Sequence, residues 1–538
     1  MPSTDPFREP GVDPTLPIEQ LAGWLLGAIV HCLLGLAIGL LAARLMRARH
    51  LHWSWAAVAL APVVLAASRL GSSTSTLVIA ALSAAGRGRR WHREDIDAGA
   101  DLAELAAHRR APLDVLWASL RRAALRRRET LGTDGWFHGE ELILGCDESS
   151  RAVSIPFGGD SGGRHTLVVG ATGSGKTVTQ TWLAVRAIEH GTGAIVVDPK
   201  GDRRMRNEVR RAAQAAGRRF IEWTPDGNSV YNPYARGSET EIADKTLAGE
   251  RFTEPHYLRQ AQRYLGHVVR ALRKSGSQVS LQGILHHLDP DRLELLARSL
   301  PESAAEATHA YLDALTARQQ SDLAGVRDRL AILAESDVGP WLDPRTVGAE
   351  RFDLLEAVRA RAVVYFNLES DSRPLLTQML GAAIVQDLQT TVAALQGRPV
   401  PTLVLIDEFS AVAAEQVVRL FGRARSAGFS LLLGTQELSD LRPPGRERLL
   451  EQVMGNLSAL IAHRQVVPAS AELIASVAGT RGAWKTQRSS DGRSTRTRTR
   501  EAVLDASEVM SLGQGWGAVI VPGVSVRVAR IFSAGRGR

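Results

Sequence analysis

Apolar positions gather at the start of the chain into one uninterrupted block. Leu21 to Ala43 runs for 23 residues without a full charge, enough for a helix to cross a bilayer. Gly23, Gly27, His31, Gly35 and Gly39 recur every fourth residue within it, lining one stripe on which another helix can approach closely. A second apolar run spans Trp53 to Ala67, and a weaker one, Thr76 to Ala85, follows Arg69. The first block lacks the basic start and cleavage pattern of a secretory signal and is expected to stay attached. Basic clusters flank the runs at Arg44/Arg47/Arg49 and Arg87/Arg89/Arg90/Arg93, and basic loops face the cytoplasm. Three crossings with the N-terminus outside place both clusters there; two crossings with the N-terminus inside leave the first cluster outside. The number stays open at two or three, with everything after Arg87 cytoplasmic.

Beyond the anchor the pattern changes to short buried runs alternating with helical periodicity. Residues 87–140 are basic and helical in pattern, including Pro112 to Leu125, and are expected to lie along anionic lipid, with DNA contact as the alternative. Glu141–Leu144 and Ala152–Ile155 read as a hairpin leading into the strand Thr166–Val169. Strands Gly193–Asp198 and Phe220–Trp223 follow, separated by a helix over Arg203 to Ala216. From 239 to 337 the pattern is nearly all helical. Strands resume at Ala362–Asn367, Leu403–Asp407, Ser430–Gly434, Ser458–Ala462, Trp516–Val521 and Val524–Ile531. Apolar strands alternating with helices predict a parallel sheet covered on both faces. The expected organisation is a membrane anchor over 1–86, the basic segment 87–140, and an α/β domain in two parts, 141–238 and 338–538, split by an all-α insertion over 239–337.

Candidate chemistry sits at two strand ends. Gly170-Ala171-Thr172-Gly173-Ser174-Gly175-Lys176-Thr177 fits the phosphate-loop pattern between a strand and a helix. Its glycines let backbone N–H groups converge on phosphate oxygens at a helix N-terminus. Lys176 supplies a point charge to the phosphates and Thr177 a hydroxyl to Mg²⁺. Leu403–Ile406 is an apolar strand ending in Asp407 and Glu408. Asp407 is expected to hold the Mg²⁺ shell and Glu408 to orient and deprotonate the attacking water. ATP and Mg²⁺ are therefore the expected cofactors.

Of 65 Lys+Arg residues only five are lysine, namely Lys176, Lys200, Lys245, Lys274 and Lys485. That scarcity singles out Lys176 and also Lys200, in Val197-Asp198-Pro199-Lys200-Gly201-Asp202, because an ammonium suits a phosphate pocket where a guanidinium fork does not. The net charge of +8 permits an anionic partner without specifying one. Cys32 and Cys146 cannot form a disulfide framework, which fits a reducing compartment. The arginine face Arg203/Arg204/Arg206/Arg210/Arg211 reads as solvated surface. Arg493 to Arg500 alternates arginine with threonine after a turn signal and reads as an exposed hairpin or loop. No aromatic residues interleave with either, so any DNA grip would be electrostatic and non-specific.

The order HTLVVGATGSGKT, VVDPKGD, a helical insertion, LVLIDEF, RSAGFSLLLGTQELSDL and AELIASVAG resembles the TraG/TraD-like type IV coupling proteins, relatives of the FtsK and HerA translocases. The resemblance covers about 142 to 531 and implies a RecA-like P-loop domain behind transmembrane helices. It implies a homohexameric ATPase of the cell membrane that passes relaxase-bound single-stranded DNA to a type IV secretion channel. The inserted helices would engage the relaxosome. Gln436, after the strand that follows the acidic pair, would sense the γ-phosphate, the plainer reading being a turn residue. Arg425 falls where the family places an arginine reaching a neighbour's nucleotide, with Arg423 an equal rival. Two other functions stay open: an FtsK-like motor for double-stranded DNA, and a receptor selecting protein substrates for secretion.

Overall fold

The computed structural model describes residues 16–49, 51–59, 73–97, 117, 119–121, 123–125, 133–158, 163–249, 254–370, 372–412, 414–442, 448–488 and 494–534. They fall into two compact units, Met1–Ala124 with Thr480–Glu501, and Leu125–Gly479 with Ala502–Arg538.

In the first unit, helix α1 (Leu16–Ala48) pairs with α2 (Ser73–Asp97). The glycine stripe is the contact. A Cβ on Gly35 would lie 2.8 Å from the Thr76 carbonyl oxygen, and one on Gly39 would lie 2.4 Å from that of Ala80. His31 Nδ1 meets Thr76 Oγ1 at 2.8 Å, and the Arg47 guanidinium stands over the Trp91 ring. Contacts advance together along both helices, from 31 with 76 to 47 with 91, so the pair runs parallel. Among the described residues, one helix, Ala22–Ala48, is long and apolar enough to cross a membrane. Its Trp24, Leu26, Leu33 and Leu41 side chains are exposed, as a lipid-facing surface requires. The third apolar run lies inside α2, in a helix that does not meet that standard by itself. The second run from residue 60 on, and half of the helix expected over Pro112 to Leu125, lie outside the described residues. The arginine–threonine alternation is resolved as a hairpin of β13 (Thr480–Arg488) and β14 (Ser494–Ala502), grouped with this unit.

The second unit is built on a twelve-stranded sheet. Its centre is parallel, in the order β12 (Ala459–Ala462), β4 (Thr166–Val169), β11 (Phe429–Thr435), β10 (Thr402–Ile406), β5 (Gly193–Asp198), β9 (Val363–Asn367) and β6 (Phe220–Trp223). Every residue of β4, β5, β9, β10, β11 and β12 is buried, because alternate side chains feed two different cores. Leu167, Val197, Ile406 and Leu433 enter one core; Val168, Val196, Leu405 and Leu432 enter the other. The expected all-parallel arrangement is modified at one edge. There β15 (Trp516–Val521), β16 (Ser525–Ile531) and β2 (Glu141–Cys146) add antiparallel, with β3 (Ala152–Pro156) and β1 (Phe137–His138) both paired to β2. The hairpin thus joins the sheet through β16, a residue separation invisible to local pattern.

Between β7 (Ser229–Tyr231) and β8 (Glu350–Phe352), which pair with each other, the described residues form six α-helices. They are α5 (Glu239–Leu247), α6 (Pro255–Lys274), α7 (Leu281–His286), α8 (Pro290–Ala297), α9 (Glu302–Asp313) and α10 (Ala317–Ala334). Local chemistry sets their starts: capping boxes at Ser238/Glu241 and Thr316/Gln319, and prolines in the first turns of α6 and α8. At the root of this segment Lys245 on α5 is fully buried. Its ammonium donates to Pro233 O (2.6 Å), Arg236 O (3.1 Å) and Asp387 Oδ1 (2.8 Å), while Tyr231 OH donates to Asp387 Oδ2 (2.7 Å). Asp387 lies on a long helix, Pro374–Ala394, so one buried charge pair ties the helical segment to the sheet layer.

Candidate active site

The phosphate loop leaves β4 and enters α3 (Lys176–Glu189). Gly173 and Gly175 have φ of +77° and +117°, conformations that L side chains rarely adopt. A Cβ on Gly170 would meet Ser174 Oγ at 2.5 Å and the His463 Cβ at 2.7 Å. The loop is pinned from outside: Gly170 N–H donates to Thr435 O, Ala171 N–H to Arg464 O, and Gly515 N–H to Ser174 O (2.9 Å). Among the described residues no backbone carbonyl takes the N–H groups of Gly173, Gly175, Lys176 or Thr177, and the α3 N-cap has no side-chain bond. Ser174 Oγ is buried without a partner. Free donors around a glycine cradle at a helix N-terminus fit a nucleotide's phosphates.

The register of β5, β10, β11 and β4 brings the remaining groups to the same sheet end. Ile406 stands beside Val197 and Leu433, so Asp407 and Glu408 emerge next to Asp198 and Gly434. Lys176 Nζ lies 3.0 Å from Asp407 Oδ1 and donates to Glu408 Oε1. All three side chains are at most a tenth exposed. Glu408 has φ +45°, a strained backbone for a side chain of its size and the kind of outlier found where a catalytic group must be aimed. Asp407 and Thr177 are the groups suited to a Mg²⁺ shell: a hard carboxylate and a hydroxyl opening the helix.

Gln436 follows β11 directly, half-buried, beyond the residue pair Thr435 and Val169. Arg425 and Arg423 are exposed and precede β11, so a strand of roughly 20 Å separates Arg425 from its own phosphate loop. The structure does not bring either arginine to this site. The arginine face on α4 (Arg203–Ala215) is partly paired: Arg206 and Arg210 both donate to Glu222, and Arg204 to Glu208.

Three groups escaped the sequence reading. Gln180 Nε2 donates to Asp407 Oδ1 at 3.1 Å; it lies one helical turn after Lys176, a spacing that marks the same face. Asp198 accepts from the N–H groups of Lys200, Gly201 and Asp202 and from Tyr365 OH, closing the turn after β5. Burial pushes its carboxyl above the usual range while those donors pull it back. His463 supports the loop from behind. Trp516 O can only accept, so Nδ1–H donates to it (2.8 Å) and Nε2 accepts from the Thr179 hydroxyl (2.8 Å).

Burial lowers the His463 pKa to about 4, and burial with the nearby Arg425 charge lowers that of His165 to about 4. Between pH 6.5 and 4 the unfolded chain therefore binds protons that the folded chain refuses. This contribution to stability is whole above pH 6.5 and is lost as pH falls toward 4. For His463 it amounts to about 3 kcal/mol. The thermal midpoint should drop between pH 7 and 5, and His463→Gln should flatten that dependence. Parallel pH curves for the two proteins would contradict the assignment.

Comparison with known proteins agrees with the geometry. A family model described as "Helicase HerA, central domain" matches residues 149–333, and one described as "TraM recognition site of TraD and TraG" matches 401–514. The type 4 coupling protein DotL of Legionella pneumophila is 22% identical over 360 residues, 54% of this chain and 46% of that protein. The chain thus spans less than half the length of this curated relative. Among solved structures, the unbound bacterial conjugative coupling protein TrwBdeltaN70 superposes with a TM-score of 0.57 at 17% identity, covering 76% of this chain and 93% of that one. The plasmid coupling protein TrwB in complex with ADP and Mg²⁺ gives 0.55 at 19% identity, covering 71% and 88%. These structural likenesses establish the RecA-like P-loop fold. With the family models they bear out the resemblance to type IV coupling proteins.

Proposed function

We propose that the chain is a membrane-anchored ATPase that delivers DNA to a type IV secretion channel. The observation that carries this reading is the meeting of Lys176, Asp407 and Glu408 at one sheet end, beside a glycine cradle with unused N–H donors. When bound, Mg²⁺–ATP supplies the scissile phosphoanhydride and the charge that screens it. Lys176 would then bind the phosphates, Thr177 and Asp407 would hold the metal, and Glu408 would take the proton of the attacking water. Gln436, which follows β11, registers the γ-phosphate in this reading. TrwB's capture with ADP and Mg²⁺ supports the same cofactors here.

The parallel pairing of α1 and α2 supports a multi-pass anchor with three crossings and the N-terminus outside, since both helices then carry their basic ends to the cytoplasm. Arg425 stands at the sheet end opposite its own phosphate loop, as an arginine acting on a neighbouring subunit's nucleotide requires, and this supports a homohexameric ring. Arg423 shares that placement. Mixing Arg425→Ala with Lys176→Ala subunits should restore part of the lost hydrolysis, because each defect then falls in a different half of a shared site. No recovery at any ratio, with assembly intact, would point away from Arg425.

The partners are non-specific DNA in single-stranded form, relaxosome proteins and channel components. The decisive experiment measures ATP hydrolysis by the full chain in detergent with single-stranded DNA, double-stranded DNA or none. Stimulation by single strands, fading with salt at a log–log slope of about −0.7 per phosphate neutralised, is expected. Preference for duplex would favour an FtsK-like motor, and indifference to DNA a protein-substrate receptor.

A further inference from the structure

We propose that Lys200 is a positioning residue for Glu408, holding the water-activating carboxylate once Lys176 has turned to bound phosphate. The inference rests on the ATPase reading above. Glu408 Oε1 accepts from two ammonium groups on different elements, Lys176 on the phosphate loop and Lys200 on the turn after β5 (2.8 Å). A lysine of the phosphate loop cannot serve a nucleotide and also stay between Asp407 and Glu408. When it leaves, a glutamate that is 7% exposed, on a left-handed backbone, loses a cation from its side. Lys200 stays, because its turn is built independently of the phosphate loop.

That turn is over-determined. Asp198 gathers the N–H groups of Lys200, Gly201 and Asp202, and Tyr365 OH closes its other side. Gly201 has φ +73° and passes so near Asn367 that a Cβ there would stand 2.7 Å from its Oδ1. Asp202 then caps α4 by accepting from Met205 N–H at 2.8 Å. Strand register sets Asp198 beside the end of β10, so the turn faces the acidic pair. The residue delivered there is one of five lysines among 65 basic residues, although the helix that follows is rich in arginine. A flexible stem ending in a compact ammonium can follow the carboxylate as it swings toward water; a planar fork is less able to.

The test uses the full chain in detergent. Lys200→Met should lower kcat for ATP by about 10- to 100-fold, with KM and the affinity for a fluorescent ADP within about twofold of the parent. Lys200→Arg should restore part of that rate. In the Glu408→Gln background, Lys200→Met should slow residual turnover no further. In nucleotide-free protein the effects of Lys200→Met and Glu408→Gln on the thermal midpoint should be non-additive, since each removes one charge of the same ion pair. An unchanged kcat for Lys200→Met would overturn the proposal, as would a matching loss of nucleotide affinity, which would put Lys200 on the phosphates instead. A parent protein that does not hydrolyse ATP would overturn the ATPase reading itself; an active parent with an equally active Lys200→Met defeats only this inference.

Discussion

Glu408→Gln will bind ATP and fail to hydrolyse it, whereas Lys176→Ala will lose hydrolysis and binding together. Glutamine keeps the size of Glu408 and its bond from an ammonium, but cannot take a proton from water. A general base contributes about 10²- to 10⁴-fold, so single-turnover hydrolysis should fall by that range with fluorescent-nucleotide affinity preserved. Lys176 supplies a charge-assisted bond to phosphate, and its loss should weaken affinity by about 10- to 100-fold. The nucleotide-free geometry adds a second expectation. Lys176 stands between two nearly buried carboxylates, and removing it leaves like charges side by side without their shared cation. Lys176→Ala should therefore lower the thermal midpoint before any nucleotide is added, while Glu408→Gln, which removes one of the two charges, should not. Normal turnover by Glu408→Gln would refute its role as base.

Lys245→Met will be among the most destabilising single changes in the sheet unit. It strands the Asp387 carboxylate, already surrounded by protein, with Tyr231 OH but no cation, and leaves Pro233 O and Arg236 O without their shared donor. Breaking one partner of a buried pair costs about 3–5 kcal/mol. In a unit of this size that should lower the thermal midpoint by on the order of 5–10 °C. Lys245→Met combined with Asp387→Leu should recover much of the loss, because apolar replacement of both partners removes the stranded charge. A double variant no more stable than Lys245→Met alone would mean that the site cannot repack around apolar groups.

The parallel centre of the sheet was legible because its strands are buried on both faces and so read as unbroken apolar runs. The phosphate loop and acidic pair were legible because their residue types and spacing leave few other uses. The antiparallel edge was not, since β16 meets β2 across almost the whole unit and nothing near Ile531 announces Gly145. The helix Pro374–Ala394 was also missed: it is enclosed nearly all round, Gly381 passing against Val412, and so shows no amphipathic stripe. Lysine scarcity pointed toward Lys200 but gave no sign that Glu408 was its partner. For Lys245 the clue lay in the same count, but its acceptors come from a turn and a helix 142 positions away.

The antiparallel edge also fixes an order of events. A ribosome that has released residue 500 has released α1, the phosphate loop, Asp407 and Glu408. It has not released β15 and β16, the strands through which β2 joins the sheet, nor Gly515, whose N–H holds the Ser174 carbonyl. Until those strands emerge, the sheet is incomplete, with unpaired edges on β12 and on β2. The phosphate loop then lacks the bond that Gly515 N–H gives to the Ser174 carbonyl. The site can therefore close only after β15 and β16, which are translated after every other described strand of that sheet, have joined it.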